Sequence, residues 1–325
     1  MHSTLVCTDR LYGTVAIDSP TMAALVASAP MQRLLGVCQF GIPDEWYNRK
    51  NFSRYEHCLG VMLLLRRLGA SEEEQIAGLL HDVSHTAFSH VVDWLLHKEL
   101  VQDFQDEQLL TYLQRSGLNE ILEGHGFDPA RIANGEHFPL LEQPAPDLCA
   151  DRVDYALREF DAETVRTCLA GLTVHNGRMV CKNKATANLF ARNYLQQDVV
   201  NWSGFESQSR YHFFVEMLQR ALEKEIITFD DFWGTDAEVM EKVIASGDER
   251  ILQTLTLLQQ KSLAHYPPSD IVLHNKFRFV DPLVLINGQP VRLSNLDPTY
   301  QQALEDARQK NTEGVRLPKV GLFMD

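Results

Sequence analysis

No apolar run in this chain approaches the length of a membrane span, so the chain is expected to stay off the membrane. Basic residues are scarce: 30 Lys and Arg stand against 44 Asp and Glu, a formal net charge of −14. Bulk nucleic-acid binding needs a basic footprint and is excluded on that balance. A small anionic substrate is not excluded, because a few local cations beside a metal reverse the field in one pocket. The six cysteines, at 7, 38, 58, 149, 168 and 181, form no C-x-x-C pair and suggest no disulfide framework. Reduced thiols and a cytoplasmic location are the simplest expectation. The opening MHSTLVCTDR carries an acid early and has no signal-peptide core. Neither a fixed-period repeat nor a low-complexity linker is present. What is there is ordinary for a globular chain: 325 residues, 45% hydrophobic and 23% charged, enough for a large core.

Residues 1–20 read as a strand and turn, and helical spacing follows over 21–36, broken at Pro30. A loop over 40–52 carries an exposed aromatic pair, Trp46 and Tyr47. Residues 52–68 are dense in apolar positions and closed by Gly69 as a helix cap. Ser71 with Glu74 makes a capping box and opens the helix that leads to His81. Further helices are expected over 87–101, 105–116, 147–160, 184–227 and 236–262. Residues 270–294 alternate around Asn-Gly and predict a β-hairpin, and 298–310 reads as a surface helix. The expected fold is mainly α: a helical domain over 1–265 and a small β-containing C-terminal appendage over 266–325.

The chemistry concentrates at His81-Asp82, late in an apolar helix. An imidazole and a carboxylate buried together cost desolvation energy unless something compensates them. A divalent metal does so, since these donors suit Mn, Fe, Zn, Co or Ni. His57 in the preceding helix and Asp151 in a later one complete two His and two Asp, with positions left open for water and substrate. An ion in such a site acidifies water and polarises phosphoryl oxygens. His85 shares the His81 face if that helix continues, and His90 lies three residues before Asp93, an orientation suited to acid/base work. Arg152, Tyr155 and Glu159 fall near one helix face, and Arg54 lies one turn before His57. Arg54, Arg152 and Arg192 are candidates to hold phosphates. A lone core histidine is more often structural than a ligand, so the weight rests on the ordered combination. The remaining histidines fit no pattern.

That combination resembles the HD superfamily, whose signature is H…HD…D. RYEHCLGV, LLHDVSHTAFSHVVD and DRVDYALRE resemble the deoxynucleoside triphosphate triphosphohydrolases related to the sterile-alpha-motif and HD-domain protein, and their bacterial relatives. LYGTVAI, MQRLLGVCQFG and the tail KFRFVDP extend the likeness over most of the chain. The resemblance implies an HD-domain helical bundle that binds one divalent ion (Mn, Fe, Zn, Co, Ni or Mg) through His57, His81, Asp82 and Asp151. It implies catalytic roles for His85, His90 and Asp93, with His90 oriented by Asp93. It places phosphate contacts at Arg54, Arg152 and Arg192 and sugar contacts at Gln39 and Tyr155, with Glu159 where the family has Asp. The implied reaction is hydrolysis of a nucleotide, in that branch to nucleoside and triphosphate, by a homodimer or larger homo-oligomer. The chain departs from the pattern at YNRKNFSR before His57, and at Ser84, Gln105, Glu159 and Val200-Asn201-Trp202. Those changes alter the substrate pocket and leave the metal and acid/base residues intact. Two other readings are a di-iron HD oxygenase, drawing on His125 or His137, and a nucleotide-binding module without turnover.

Overall fold

The computed structural model describes residues 4–47 and 49–321. Helices dominate and strands are short, as the sequence predicts. Helix Arg54–Arg67 is the central element. Ser53 opens it with a reciprocal capping box to Glu56, and every residue from His57 to Leu65 is buried. A helix buried on all sides needs close neighbours, and two glycines admit them. A Cβ on Gly78 would come 2.3 Å from Leu65 Cδ1, so helix Glu72–Leu80 lies tight against it. A Cβ on Gly60 would come 2.2 Å from Asp154 Oδ1, which brings in helix Ala150–Leu157. The three segments carrying the predicted ligands thus meet in one core. Gly69, at φ +80°, ends the central helix as expected.

Several boundaries differ from expectation. Ser71 caps its helix, but the Glu74 carboxylate does not return to it and instead accepts the Leu140 and Leu141 N–H groups. Trp46 and Tyr47 are buried in helix Asp44–Tyr47 instead of exposed. The stretch 87–101 holds helix only over Val91–Leu95, because Phe88 and Ser89 turn to positive φ (62° and 47°). The stretch 184–227 divides into helix Lys184–Gln197, a π-helical turn Asp198–Trp202 and helix Phe205–Glu223. At that break Gly204 passes so near Val200 O that a Cβ would stand 2.1 Å from it. The stretch 236–262 divides into Asp236–Ala245 and Glu249–Leu258, separated by Gly247 at φ +65° and recapped by Asp248.

Among the strands, Leu283–Ile286 and Gln289–Arg292 form the expected hairpin about Asn287-Gly288. Pro268–Leu273 instead pairs with Val315–Pro318. A second hairpin, Leu172–His175 with Arg178–Cys181, turns at Asn176-Gly177, and neither it nor helix Ala162–Gly171 before it was expected. The two hairpins join in one four-stranded sheet, Cys181 facing Val284 in parallel. Val280, Val284, Leu293 and Tyr300 from the C-terminal part are buried in the same core as the central helix. All six cysteines are free thiols. Among the described residues no helix is long and apolar enough to cross a membrane.

Candidate metal centre and active-site cavity

His57 sits one turn into the central helix and is fully buried. Its Nδ1 lies 2.8 Å from Asp154 Oδ2 and its Nε2 lies 3.0 Å from Asp151 Oδ1. The two aspartates, three residues apart on one helix, flank the ring from behind and in front. Asp154 is itself fixed by the Tyr12 hydroxyl at 2.8 Å and Arg158 Nε at 2.7 Å. His81 caps the end of its helix. Its Nδ1 lies 2.8 Å from Gly78 O, which sets Nδ1 as the donor. Nε2 is left 3.5 Å from both Asp82 Oδ2 and Asp151 Oδ1. His57 Nε2 lies 3.6 Å from Asp82 Oδ2.

These residues fit a metal. Two donors each about 2.1 Å from one ion, at angles between octahedral and tetrahedral, stand about 3.0–3.4 Å apart. The observed separations of 3.0–3.6 Å run from that spacing to slightly beyond it; His57, His81 and Asp151 form the tight group, with Asp82 at its edge, 3.5 Å from His81 and 3.6 Å from His57. His81 Nε2 is buried without a hydrogen-bond partner, a costly state that a ligated ion removes. Both Nδ1 atoms have oriented acceptors, the arrangement that presents Nε2 to an ion. Burial opposes charge on His81, yet Asp82 and Asp151 outweigh it and raise its pKa to about 10. Burial likewise opposes charge on Asp151, but His57 and His81 hold its carboxyl below the usual range. A field that draws protons onto buried imidazoles is the field a divalent cation answers.

Asp82 has a second partner: Arg54 Nη1 stands 2.5 Å from its Oδ2. Arg54 also donates to Ser89 Oγ at 3.0 Å and Gln39 O at 3.3 Å. His85 reaches the centre although its helix does not continue. A turn after His81 brings His85 Nε2 to 3.3 Å from Asp82 Oδ1. Burial, then Arg54, lower its pKa to about 3 and keep it neutral. His90 Nδ1 lies 2.9 Å from Asp93 Oδ2, and Asp93 Oδ1 accepts the Phe104 N–H at 3.1 Å. Burial outweighs Asp93 and lowers the His90 pKa, and His90 lines the cavity.

The cavity over this centre has a volume of about 160 Å³. Asp82, Asp151, Arg54, His90 and Gln39 line its polar end, and Tyr155 and Trp202 form an aromatic wall with rings 5.4 Å apart. Three expected substrate contacts are not brought to it. Arg192 is half-exposed on the far side of its helix, donating to Thr299 Oγ1 at 2.7 Å and lying 3.6 Å from Asp297. Arg152 turns to the preceding loop, where Nη1 donates to Asp147 O at 2.7 Å and Gln143 O at 3.1 Å. Glu159 stands behind the wall: it accepts from Trp202 Nε1 at 3.0 Å and pairs with Arg49. Helix periodicity places residues near one face, but it does not say which acceptors lie closer than the pocket.

The sequence reading also missed residues. Asp154 was missed although it falls three residues after Asp151, the spacing that puts both on one face. Asp236 was missed because its partners are remote: it accepts the Phe88 N–H at 2.7 Å and the Cys38 N–H at 2.8 Å. Arg278 was missed because it comes from the C-terminal tail yet lines the cavity. His125 and His137, the extra ligands a di-iron site would need, are both exposed on the surface.

The family model for the HD domain matches residues 54–163, the segment that carries all four candidate ligands. The uncharacterized protein YdhJ of Bacillus subtilis is 34% identical over 95% of this chain and 97% of its own length. The metal-dependent phosphohydrolase cns2 of Cordyceps militaris is 30% identical over 92% of this chain and 90% of its own. Human deoxynucleoside triphosphate triphosphohydrolase SAMHD1 is more distant, 25% identical over 38% of this chain and 23% of its length. A crystal structure of a hypothetical protein from Aquifex aeolicus shares the fold, with a TM-score of 0.68, 21% identity, and coverage of 95% of this chain and 100% of that one. With its ligand geometry and its full-length relatives in agreement, the chain belongs to the HD-domain metal-dependent phosphohydrolases.

Proposed function

We propose that this hydrolase cleaves a phosphoester or phosphoanhydride bond of a nucleotide. The observation that carries the reading is a single cavity lined by Asp82 and Asp151 of the His/Asp cluster, by His90, which Asp93 orients from behind, and by Tyr155 and Trp202. His57, His81, Asp82 and Asp151 would hold a divalent ion, which would supply Lewis acidity and acidify water. His90, fixed by Asp93, moves the proton between water and the leaving oxygen. His85, kept neutral, stands at Asp82 to stabilise developing charge by hydrogen bonding. Trp202 and Tyr155, packed edge to face, put aromatic surface on the cavity against which a base or sugar can rest.

The triphosphohydrolase form of this reaction releases nucleoside and triphosphate. Arg152 and Arg192, expected at the phosphates, are engaged elsewhere, which supports a substrate with fewer than three phosphates. The test is a panel of ribo- and deoxynucleoside mono-, di- and triphosphates with several divalent metals, resolving phosphate, pyrophosphate and triphosphate as products. Metal-dependent release from a monophosphate or diphosphate at least tenfold more efficient than from the triphosphate is expected. Triphosphate as the main product would instead assign the dNTP reaction. Two iron ions per chain with oxygen consumption, or binding without turnover across the panel, would reject phosphohydrolysis. A homodimer or larger assembly is proposed on the resemblance alone and is read by sedimentation.

A further inference from the structure

Two arginines line the cavity, and they differ in one respect. Arg54 is paired with Asp82. Arg278 has no carboxylate paired with its guanidinium among the described residues; it donates to the neutral Gln102 side chain and, at 3.5 Å, to Lys276 O. In a chain of net charge −14, a cation that lines a cavity with no carboxylate within ion-pair distance of its guanidinium, the Asp198 carboxylate acting on it only from further off, marks a place for an anion.

The segment that carries Arg278 is built to hold it there. Residues 274–282 have no regular secondary structure and run as a strap between strands Pro268–Leu273 and Leu283–Ile286. On one side of the strap Phe277 and Phe279 stack 5.4 Å apart, and Arg308 lies over both rings at 5.4 and 4.6 Å. On the other side Asn275 and Arg278 enter the cavity. Lys276 Nζ ties the strap to Val101 O at 3.0 Å, beside the turn that presents Gln102. Arg278 acts on the buried Asp198 carboxylate, at the start of the π-helical turn that carries Trp202, and partly offsets the effect of burial on it. A guanidinium held at its stem, with only a neutral side-chain acceptor at its tip, can exchange that acceptor for a phosphate oxygen at small cost.

We propose that Arg278, delivered by the 274–282 strap, is the substrate-phosphate-binding cation of this site, in the place that Arg152 and Arg192 leave unfilled. The proposal rests on the phosphohydrolase reading, and it makes the C-terminal part a component of the active site. A single unpaired cation matches a short phosphate chain and gives the site its preference by phosphate number.

The test uses the full-length, Mn²⁺-loaded protein as wild type, Arg278→Ala and Arg278→Lys. Inorganic phosphate is titrated calorimetrically, and KM and kcat are measured on the best nucleotide of the panel. Loss of one charge-assisted hydrogen bond predicts about tenfold to hundredfold weaker phosphate binding in R278A, with Lys restoring part of it. KM should rise by a similar factor with kcat within about threefold, the mark of a group that binds ground and transition states alike. Unchanged melting temperatures separate this from misfolding. Phosphate affinity and KM within twofold of wild type would overturn the proposal, as would a loss confined to kcat. If no phosphoester is turned over, the phosphohydrolase reading fails, and the phosphate titration still decides the role of Arg278.

Discussion

The departures from the family pattern touch one another. Ser84 Oγ donates to Gln105 O at 2.7 Å, and Trp202 donates to Glu159. Only the second joins the side chains of two positions where this chain differs; the first reaches the Gln105 main-chain carbonyl. Glu159 no longer offers its carboxylate to a sugar, because Trp202 and Arg49 occupy it. At the metal centre the contact that matters most outside the ligands is Asp154. Replacing it with Asn removes the charge behind His57 Nδ1 and loosens the ring that presents Nε2. Metal affinity is expected to fall about tenfold to hundredfold, as for other residues that orient a ligating imidazole. The melting temperature should fall too, because Arg158 loses a buried partner. Competition against a chelator of known affinity measures the first, and a thermal melt the second. Metal affinity within twofold of wild type would show that Asp154 does not position His57.

Elements set how the polar end of the cavity is assembled, and here the first residue of a helix capped by Thr235 has a wider reach than its helix. Asp236 begins helix Asp236–Ala245, yet its carboxylate bonds the Cys38 and Phe88 N–H groups. It thereby ties together the loop that carries Gln39 and the turn that carries His90. Asp236→Ala leaves the buried Phe88 N–H and the half-buried Cys38 N–H unpaired and should cost about 2–4 kcal/mol, read by urea unfolding. Burial outweighs those two bonds and raises the Asp236 pKa to about 6. Folding therefore gains from the bound proton below about pH 4 and loses that gain as pH rises through 6. The stability gap between wild type and D236A should narrow from pH 5 to pH 8; a gap that widens would contradict the assignment. The helices carrying ligands were legible because capping and apolar spacing are local signals. The breaks at 88–89, 198–204 and 246–248 were not, because they depend on close approaches such as Gly204 to Val200 O. Local alternation found the hairpin at Asn287-Gly288 but not the pairing of residues 268–273 with 315–318, whose partners lie more than forty residues apart.

On the scale of the whole molecule, the acidic chain wraps a small region where charge is tightly matched. His57, His81 and Asp151 offer donor atoms within 4.8 Å of one another, although they come from three helices and up to 94 residues separate them. Their order in the sequence made the cluster legible, since the motif H…HD…D carries its own context. Arg278 was illegible as a site residue although it lies in the tail KFRFVDP: nothing local in that text points to the cavity, which it reaches because the C-terminal strands join the sheet begun by residues 172–181. The C-terminal part shares the main core, so the cavity and the fold depend on the same packing. The central claim is that His57, His81, Asp82 and Asp151 hold one divalent ion on which phosphohydrolysis depends. Elemental analysis of the purified chain and of the His81→Ala/Asp82→Ala variant, paired with phosphate release before and after chelation, tests it most directly. The expected result is one metal ion per wild-type chain, less than a tenth of that in the folded variant, and activity lost on chelation and restored by Mn²⁺. Full activity in metal-free protein, or a full metal complement in the variant, would contradict it.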